Sequence, residues 1–361
     1  MARGRSRAQI SDDAEMTRAS PFWSQEAYAE RKPFLQKRRA MTDAVRRFFA
    51  SEGFAEVETA ALQVSGGNEP HISTLSVELL GAGGEKSRLF LHSSPEFSCK
   101  KLLAAGEKRI FTLARVFRNR ERGPLHHPEF TMLEWYRAGE PLSRVIEDCA
   151  GLLTVAAEAA GTDSFLWADR QANAFEEPEV LTLCEAFDRH AGLDLERLLD
   201  DRDGLAKAAA SLGVRVVADD GWSDLFSKIL CEKIESHLGR GRATILIDYP
   251  ASEAALSRAK PDDPRFCERF ELYLCGVEIA NGFGELTDRS EQRRRLIAAE
   301  AKRAALYGES RPIDEDFLAA LDAMPEASGV ALGFDRLVML AAGATRIEQV
   351  LWTPVAEPGR R

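Results

Sequence analysis

What the chain lacks narrows its identity first. It has no charge-free run of about 18 apolar residues, the length a membrane-crossing helix needs. Residues 1–20 carry Arg and Ser with no apolar run behind them, so they do not read as a secretory signal, and a flexible tail is expected there. Six cysteines stand at 99, 149, 184, 231, 267 and 275, none in a Cys-x-x-Cys pair and none with histidines spaced beside it as ligands. That argues against zinc and for reduced thiols in apolar surroundings, as at Leu230-Cys231 and Leu274-Cys275, in a cytoplasmic protein. Neither standard Gly-rich phosphate loop is present. Positive charge is short as well. The 48 Lys and Arg against 58 Asp and Glu leave a formal net charge of −10, whereas a protein that grips nucleic acid usually carries a basic excess. Basic residues gather at Arg31-Lys32 and Lys37-Arg38-Arg39, which read as a solvated helix face.

What remains is a chain of 361 residues, 45% hydrophobic, enough for one large catalytic unit. Met41, Val45, Phe48 and Phe49 recur at helical spacing and predict a helix over 34–52, stopped by Gly53. A short strand is expected at 54–57, an antiparallel pair at 75–80 and 87–92, and a helix at 96–105. Strands at 109–117 and 129–136 flank a polar loop, and a helix follows at 142–160. Residues 162–178 read as loop, followed by helices at 181–191, 202–212 and 222–238. Strands return at 243–247 and 269–275, and a turn at Cys275-Gly276 leads into 277–280. Helices at 290–305 and 314–323 precede a last strand, 329–333, and a helix, 335–342. Antiparallel strands with helices segregated around them imply an α+β fold, an antiparallel sheet flanked by helices.

Three stretches carry the chemistry. The first runs Phe117-Arg118-Asn119-Arg120-Glu121 to His126-His127-Pro128-Glu129-Phe130-Thr131-Met132-Leu133-Glu134-Trp135-Tyr136. A guanidinium such as Arg118 grips phosphate through parallel hydrogen bonds, and a ring such as Phe130 carries a purine on its face. Taken singly, each more often belongs to a surface ion pair or to the core. In the second stretch Glu271, Glu278 and Glu285 fall seven residues apart in an apolar, Gly-rich setting. A hairpin turning at Gly276 brings Glu271 opposite Glu278, and two carboxylates held that close call for a cation such as the Mg²⁺ of bound ATP. Glu285 can instead meet an ammonium group. Three solvent-facing acids are the plainer alternative. The third stretch is Gly329-Val330-Ala331-Leu332-Gly333-Phe334-Asp335-Arg336-Leu337, in which small residues let a ligand approach a strand and Arg336 opens a helix.

Together these stretches resemble the second and third signatures of the class II aminoacyl-tRNA synthetases, and Asn281-Gly282-Phe283-Gly284-Glu285-Leu286 resembles the lysyl subgroup. The likeness runs from about Phe34 to Trp352. Lysyl-tRNA synthetases carry an anticodon-binding barrel ahead of the catalytic core, and a tail with one helix is too short for such a barrel. The chain therefore resembles the truncated paralogues, the elongation factor P–(R)-β-lysine ligases. Ser93-Ser94-Pro95-Glu96, Lys100-Lys101-Leu102-Leu103, the run Phe130–Arg137 and Ala331 stand closest to that family.

The resemblance implies one catalytic domain over residues 21–361, without an anticodon-binding domain. It also implies ATP and Mg²⁺ as cofactors, β-lysine or lysine as substrate, elongation factor P as acceptor in place of tRNA, and a homodimer paired through the 34–52 helix. Ser94, Pro95, Glu96, Tyr136, Glu285 and Ala331 would form the amino-acid pocket, with Glu285 on the distal ammonium. Arg118, Asn119, Arg120, His127, Phe130, Glu278, Ile279, Gly333 and Arg336 would contact ATP, with Arg118 and Arg336 catalytic and Glu271 and Glu278 on the metal. Arg120 and His127 stand where the family has Glu and Asn, with Glu121 available beside Arg120, and Ala60 stands where it has proline. Two other functions compete: a stand-alone lysyl-adenylate enzyme serving tRNA or another acceptor, and a non-catalytic regulator. The regulator predicts decayed ATP ligands, whereas Arg118, Glu271, Glu278 and Arg336 are all present.

Overall fold

The computed structural model describes residues 22–67 and 69–356, so the tail expected over residues 1–20 lies outside the described residues. At the centre is a sheet of eight strands. Their spatial order is Ala55–Glu56, Arg109–Phe117, Glu129–Ala138, Ala327–Gly333, Val277–Gly284, Phe266–Leu274, Thr244–Pro250 and Glu179–Thr182. The inner pairings are antiparallel, and the short strand at each edge joins in parallel. The α+β expectation holds.

Side chains alternate across a strand, so each central strand serves two faces. Leu133, Trp135, Phe270, Leu272, Val330 and Leu332 point to one face. There they meet Met41, Val45 and Phe49 of the helix Gln25–Ser51, Leu152 and Ala156 of the helix Leu142–Ala160, and Leu337 and Leu340 of the helix Phe334–Ala342. The intervening residues, among them Phe130, Glu134, Tyr136, Glu271 and Ala331, point to the other face, which is the floor of the site described below. A second cluster, including Leu183, Phe187, Leu225 and Ile229, packs the helices Leu183–Ala191, Arg202–Ser211 and Trp222–Ile229 against the far edge of the sheet. Among the described residues no helix is long and apolar enough to cross a membrane.

Four departures from the sequence expectations stand out in the fold. The first helix begins at Gln25, capped by the hydroxyl of Ser24 on the Ala27 N–H, and runs through Pro33, which therefore does not mark its start. Residues 162–178 hold a hairpin, Ser164–Trp167 with Arg170–Asn173, pinned by Phe165 and Ala172 in the main core. The helix expected over 222–238 is regular only to Ile229 and then widens over Leu230–Ile234, so that Leu230 is buried while Cys231 is exposed.

The fourth correction concerns Arg38, which is buried and not part of a solvated face. Its guanidinium donates to Oδ1 of Asp335 at 2.5 Å, to the Thr131 hydroxyl at 2.9 Å and to the Val350 carbonyl at 3.2 Å. Asp335, itself buried, accepts the Thr131 N–H on its other oxygen at 2.8 Å. Removing one partner of such a pair strands a charge in the interior. Asp335→Ala is expected to lower the unfolding free energy by about 3–5 kcal/mol in urea denaturation. A loss within about 0.5 kcal/mol, ordinary for a surface substitution, would show that the tie does not carry the packing of the first helix.

Candidate active site

The polar face of the sheet floors a cavity of about 320 Å³ whose wall includes Arg118, Phe130, Arg269, Glu271, Glu278 and Arg336. One end of it is rich in guanidinium groups. Arg118 lies over the Phe130 ring, 5.3 Å from its centroid, and among the described residues its buried Nε has no hydrogen-bond partner. Arg336 enters from the first turn of the helix Phe334–Ala342, next to Asp335, which also borders the cavity and is held by Arg38 and the Thr131 N–H. It donates to the Glu278 carbonyl at 2.8 Å and to Nε2 of His126 at 2.8 Å. His126, given no role from the sequence, stands at the mouth between Arg336 and Arg118. Partial burial, then the charges of these two arginines, push its imidazole down to about 4, so at neutral pH Nε2 is an acceptor.

The carboxylates beside this end do not pair as the spacing suggested. Cys275 and Gly276 form the turn, both with positive φ, so Leu274 pairs with Val277 and Tyr273 with Glu278. Ile279 is then an extra residue, after which Glu271 pairs with Asn281. Glu271 therefore lies diagonal to Glu278 on the same face and not directly opposite. The bulge is what keeps both Glu278 and Asn281 facing the cavity. Glu271 is held by Arg269 Nη2 at 2.7 Å and the Tyr273 hydroxyl at 2.6 Å. Among the described residues no donor meets the Glu278 carboxylate, and burial, followed by the charge of Glu271, pushes its pKa up. No group of three or more His, Cys, Asp or Glu suited to a metal exists among the described residues.

Not every residue of this expected set reaches the cavity. Ile279 and Gly333 line it, whereas Asn119 and Arg120 do not. Arg120 has φ of +65°, which turns it outward, exposed, while Glu121 takes a place in the wall. His127 borders the cavity, but its ring is spent on the backbone: Nδ1 donates to the Glu129 carbonyl at 2.6 Å and Nε2 accepts the Val355 N–H at 3.3 Å.

Of the expected amino-acid pocket, Ser94, Glu96 and Ala331 line the cavity, whereas Pro95, Tyr136 and Glu285 lie behind its wall together with Glu134, in a cluster of buried carboxylates. The buried Pro95 opens the helix Glu96–Ala104 and sets Ser94 and Glu96 at the wall. Glu134, wholly buried, accepts the Ser94 hydroxyl at 2.5 Å and the Tyr136 hydroxyl at 2.8 Å. Burial, then the charge of Glu96, pushes its carboxyl up to about 8. Glu285 lies behind, 1% exposed, and a Cβ on Gly329 would come within 2.6 Å of its Oε1 and 2.3 Å of the Tyr136 ring, so only glycine fits there. Ala331 pairs with Glu134 across the strands and lines the cavity. Glu285 does not wait alone for a substrate ammonium. Lys100, 0% exposed, stands 2.6 Å from it and 2.6 Å from Glu96.

Glu134 and Lys100 were quoted within motifs but given no role. Strand periodicity, two residues before Tyr136, could have found Glu134. The i, i+4 spacing from Glu96 could have found Lys100. Nothing local marks His126.

The sequence profile of the tRNA synthetases class II (D, K and N) matches residues 18–357. The elongation factor P–(R)-β-lysine ligase of Klebsiella pneumoniae (strain 342) is 40% identical over 323 residues, 88% of this chain and 94% of its own. That of Edwardsiella ictaluri (strain 93-146) is 40% identical over 321 residues, 88% and 93% of the two chains. The Proteus mirabilis (strain HI4320) protein of the same name is 38% identical over 325 residues, 89% and 94%.

The Arg336–His126 contact can be tested without any ligand. Arg336→Met is expected to raise the His126 titration from about 4 toward the ordinary histidine range, read by imidazole proton NMR. An unmoved titration would mean that the guanidinium does not face the ring in solution.

Proposed function

The chain belongs to the class II tRNA synthetases of the D, K and N group, and we propose that it is an ATP-dependent ligase that activates (R)-β-lysine as an adenylate and transfers it to a lysine of elongation factor P. The observation that carries this proposal is a single cavity with arginines suited to phosphate, Arg118 and Arg336, in its wall, and with Ser94 and Glu96 in the same wall backed by the buried carboxylates Glu134 and Glu285, suited to ammonium. Similarity to the ligases over 88% of the chain supports the same assignment.

The residues fit ATP and Mg²⁺. Arg118, with an unmet buried donor, suits an α-phosphate oxygen, and Arg336 suits the terminal phosphates beside it. Glu271 and Glu278 are two carboxylates with no third ligand grouped with them, the pattern of a Mg²⁺ shared with substrate phosphates. Such an ion, when bound, supplies charge neutralisation on the phosphate oxygens. Phe130 offers a face to the adenine. Glu134 and Glu285 hold the ammonium groups of the amino acid and leave its carboxylate directed toward the arginines.

The substrate carboxylate attacks the α-phosphorus of ATP, and pyrophosphate departs with the bonding electron pair. The acceptor amine then attacks the acyl carbon, an amide forms, the amine gives up a proton, and AMP leaves. Neither step needs an enzyme nucleophile, so acceleration rests on positioning and on the fixed charges of Arg118 and Arg336. Replacing either with alanine is expected to lower ATP–pyrophosphate exchange by about 10²–10³-fold with unchanged thermal unfolding. Near-normal exchange would remove that arginine from the site.

Substrate and acceptor are decided by a paired assay. Ala331 places a methyl group beside Glu134, and one methyl in a packed pocket discriminates by roughly 1–3 kcal/mol, enough to separate isomers whose amine sits on adjacent carbons. The acidic net charge of −10 favours a basic protein surface as acceptor over tRNA phosphates. Pyrophosphate exchange is expected to prefer (R)-β-lysine over α-lysine, and labelled substrate to appear on elongation factor P. Efficient α-lysylation of tRNA with no mass gain on the factor would instead make the chain a stand-alone synthetase.

A further inference from the structure

We propose that Lys100 is a positioning residue that sets the charge count of the amino-acid pocket: it neutralises one of three carboxylates, Glu96, Glu134 and Glu285, so that only a substrate with two ammonium groups balances the other two. The proposal rests on the assignment of this pocket to the amino acid and adds the feature that fixes the substrate's charge.

Lys100 follows Glu96 by one helical turn and is wholly buried, with Nζ 2.6 Å from Oε1 of Glu96 and 2.6 Å from Oε2 of Glu285. The contact with Glu96 is a hydrogen bond. The contact with Glu285 is an ion pair off the line of a hydrogen bond, and among the described residues Oε2 of Glu285 has no aligned donor. Among the described residues the Lys100 ammonium is thus the one cation that meets this oxygen. Glu134 receives only neutral donors, the hydroxyls of Ser94 and Tyr136, which orient a carboxylate without cancelling its charge.

Of the other groups facing the cluster, Glu69 shares the cavity wall with Ser94 and Glu96 but is exposed, so its charge stays hydrated and outside the buried count. Arg258 is near enough to act on Glu285, but its guanidinium is bound to Glu268 at 2.9 and 2.7 Å and brings no net charge. Cys99 and Tyr136 are buried, and burial holds both neutral. Among the described residues Lys100 is the only cation paired with Glu96 or Glu285, and Glu134 has none.

Two carboxylates in excess are costly to keep ionised in a protein interior. In the empty pocket protons offset that cost. Burial pushes Glu134 up to about 8 and pushes Glu285 up as well, while the two carboxylates beside Lys100 outweigh its burial and keep it charged. A diamino acid brings two ammonium groups and displaces those protons. A monoamino acid leaves one carboxylate uncompensated.

The test measures kcat and KM in ATP–pyrophosphate exchange across the neutral pH range. It uses (R)-β-lysine, α-lysine and norleucine, which lacks the distal amine. Wild type is compared with Lys100→Met and with the double variant Lys100→Met, Glu96→Gln. A raised carboxyl pKa makes binding weaken as pH falls through it. Lys100→Met, with a third uncompensated carboxylate, is therefore expected to move this acid limb upward by about one unit. That raises KM for the diamino acid about tenfold at neutral pH. The double variant restores the count: its kcat and KM are expected to change because Glu96 belongs to the pocket, but its acid limb is expected at the wild-type position, and it serves in the same way if the single variant does not fold. A limb unmoved in Lys100→Met, or displaced in the double variant, would overturn the proposal and leave Lys100 a purely structural ion pair. Activation of norleucine by wild type as well as of the diamines would overturn it too. A wild type that activates no amino acid would instead bring down the functional assignment itself, and this inference with it.

Discussion

The buried carboxylate of Asp335 is the contact on which the arrangement of the site depends. One oxygen holds Arg38 of the first helix, and the other holds the backbone of Thr131 in the strand Glu129–Ala138. Asp335 also lies in the first turn of the helix Phe334–Ala342, where a negative charge complements the exposed N–H groups. Three elements distant in sequence are thereby registered at one atom group. Asp335 itself borders the cavity, and Arg336, the next residue of the same helical turn, enters it beside this anchored carboxylate.

The central sheet carries this logic across its width. Odd and even positions of the same strand do different work: Leu133 and Trp135 fill the core, while Glu134 and Tyr136 build the pocket. Small residues occur where two functional groups must lie close, as at Gly329, which leaves room for Tyr136 and Glu285. A break in the alternation, the extra residue at Ile279, falls where both Glu278 and Asn281 face the cavity. A regular hairpin would have turned one of them into the core.

The cavity is electrically polarised along its length. Arg118 and Arg336 bring positive charge to one end, and His126 between them stays neutral, so it accepts from Arg336 without adding a charge of its own. At the other end Glu96, Glu134 and Glu285 outnumber Lys100. On the proposed assignment, an amino acid laid between them would present its ammonium groups to the carboxylates and its carboxylate to the arginines, the orientation that attack on a phosphate requires. Binding and orientation therefore come from the same charge distribution.

The sequence by itself determined the α+β class, most element boundaries and the three chemistry-bearing stretches. Apolar periodicity and the dense runs around Arg118, Glu278 and Arg336 are local signals. It also determined, through motif likeness, which residue types would gather, although Asn119 and Arg120 fall outside the cavity wall and His127 is bound to backbone. Only the tertiary structure decided the rest. Arg38 reads as one charge in a basic run until Asp335, almost 300 positions away, is folded against it. Glu271 and Glu278 take their register from a turn at Cys275-Gly276 and a bulge at Ile279, which spacing alone cannot report. Lys100 reads as one lysine of a Lys-Lys pair until the sheet brings Glu285 within 2.6 Å. The reason is common to all three: a charge is valued by its neighbours and by the water it has lost, and both are properties of the folded chain, not of the residue.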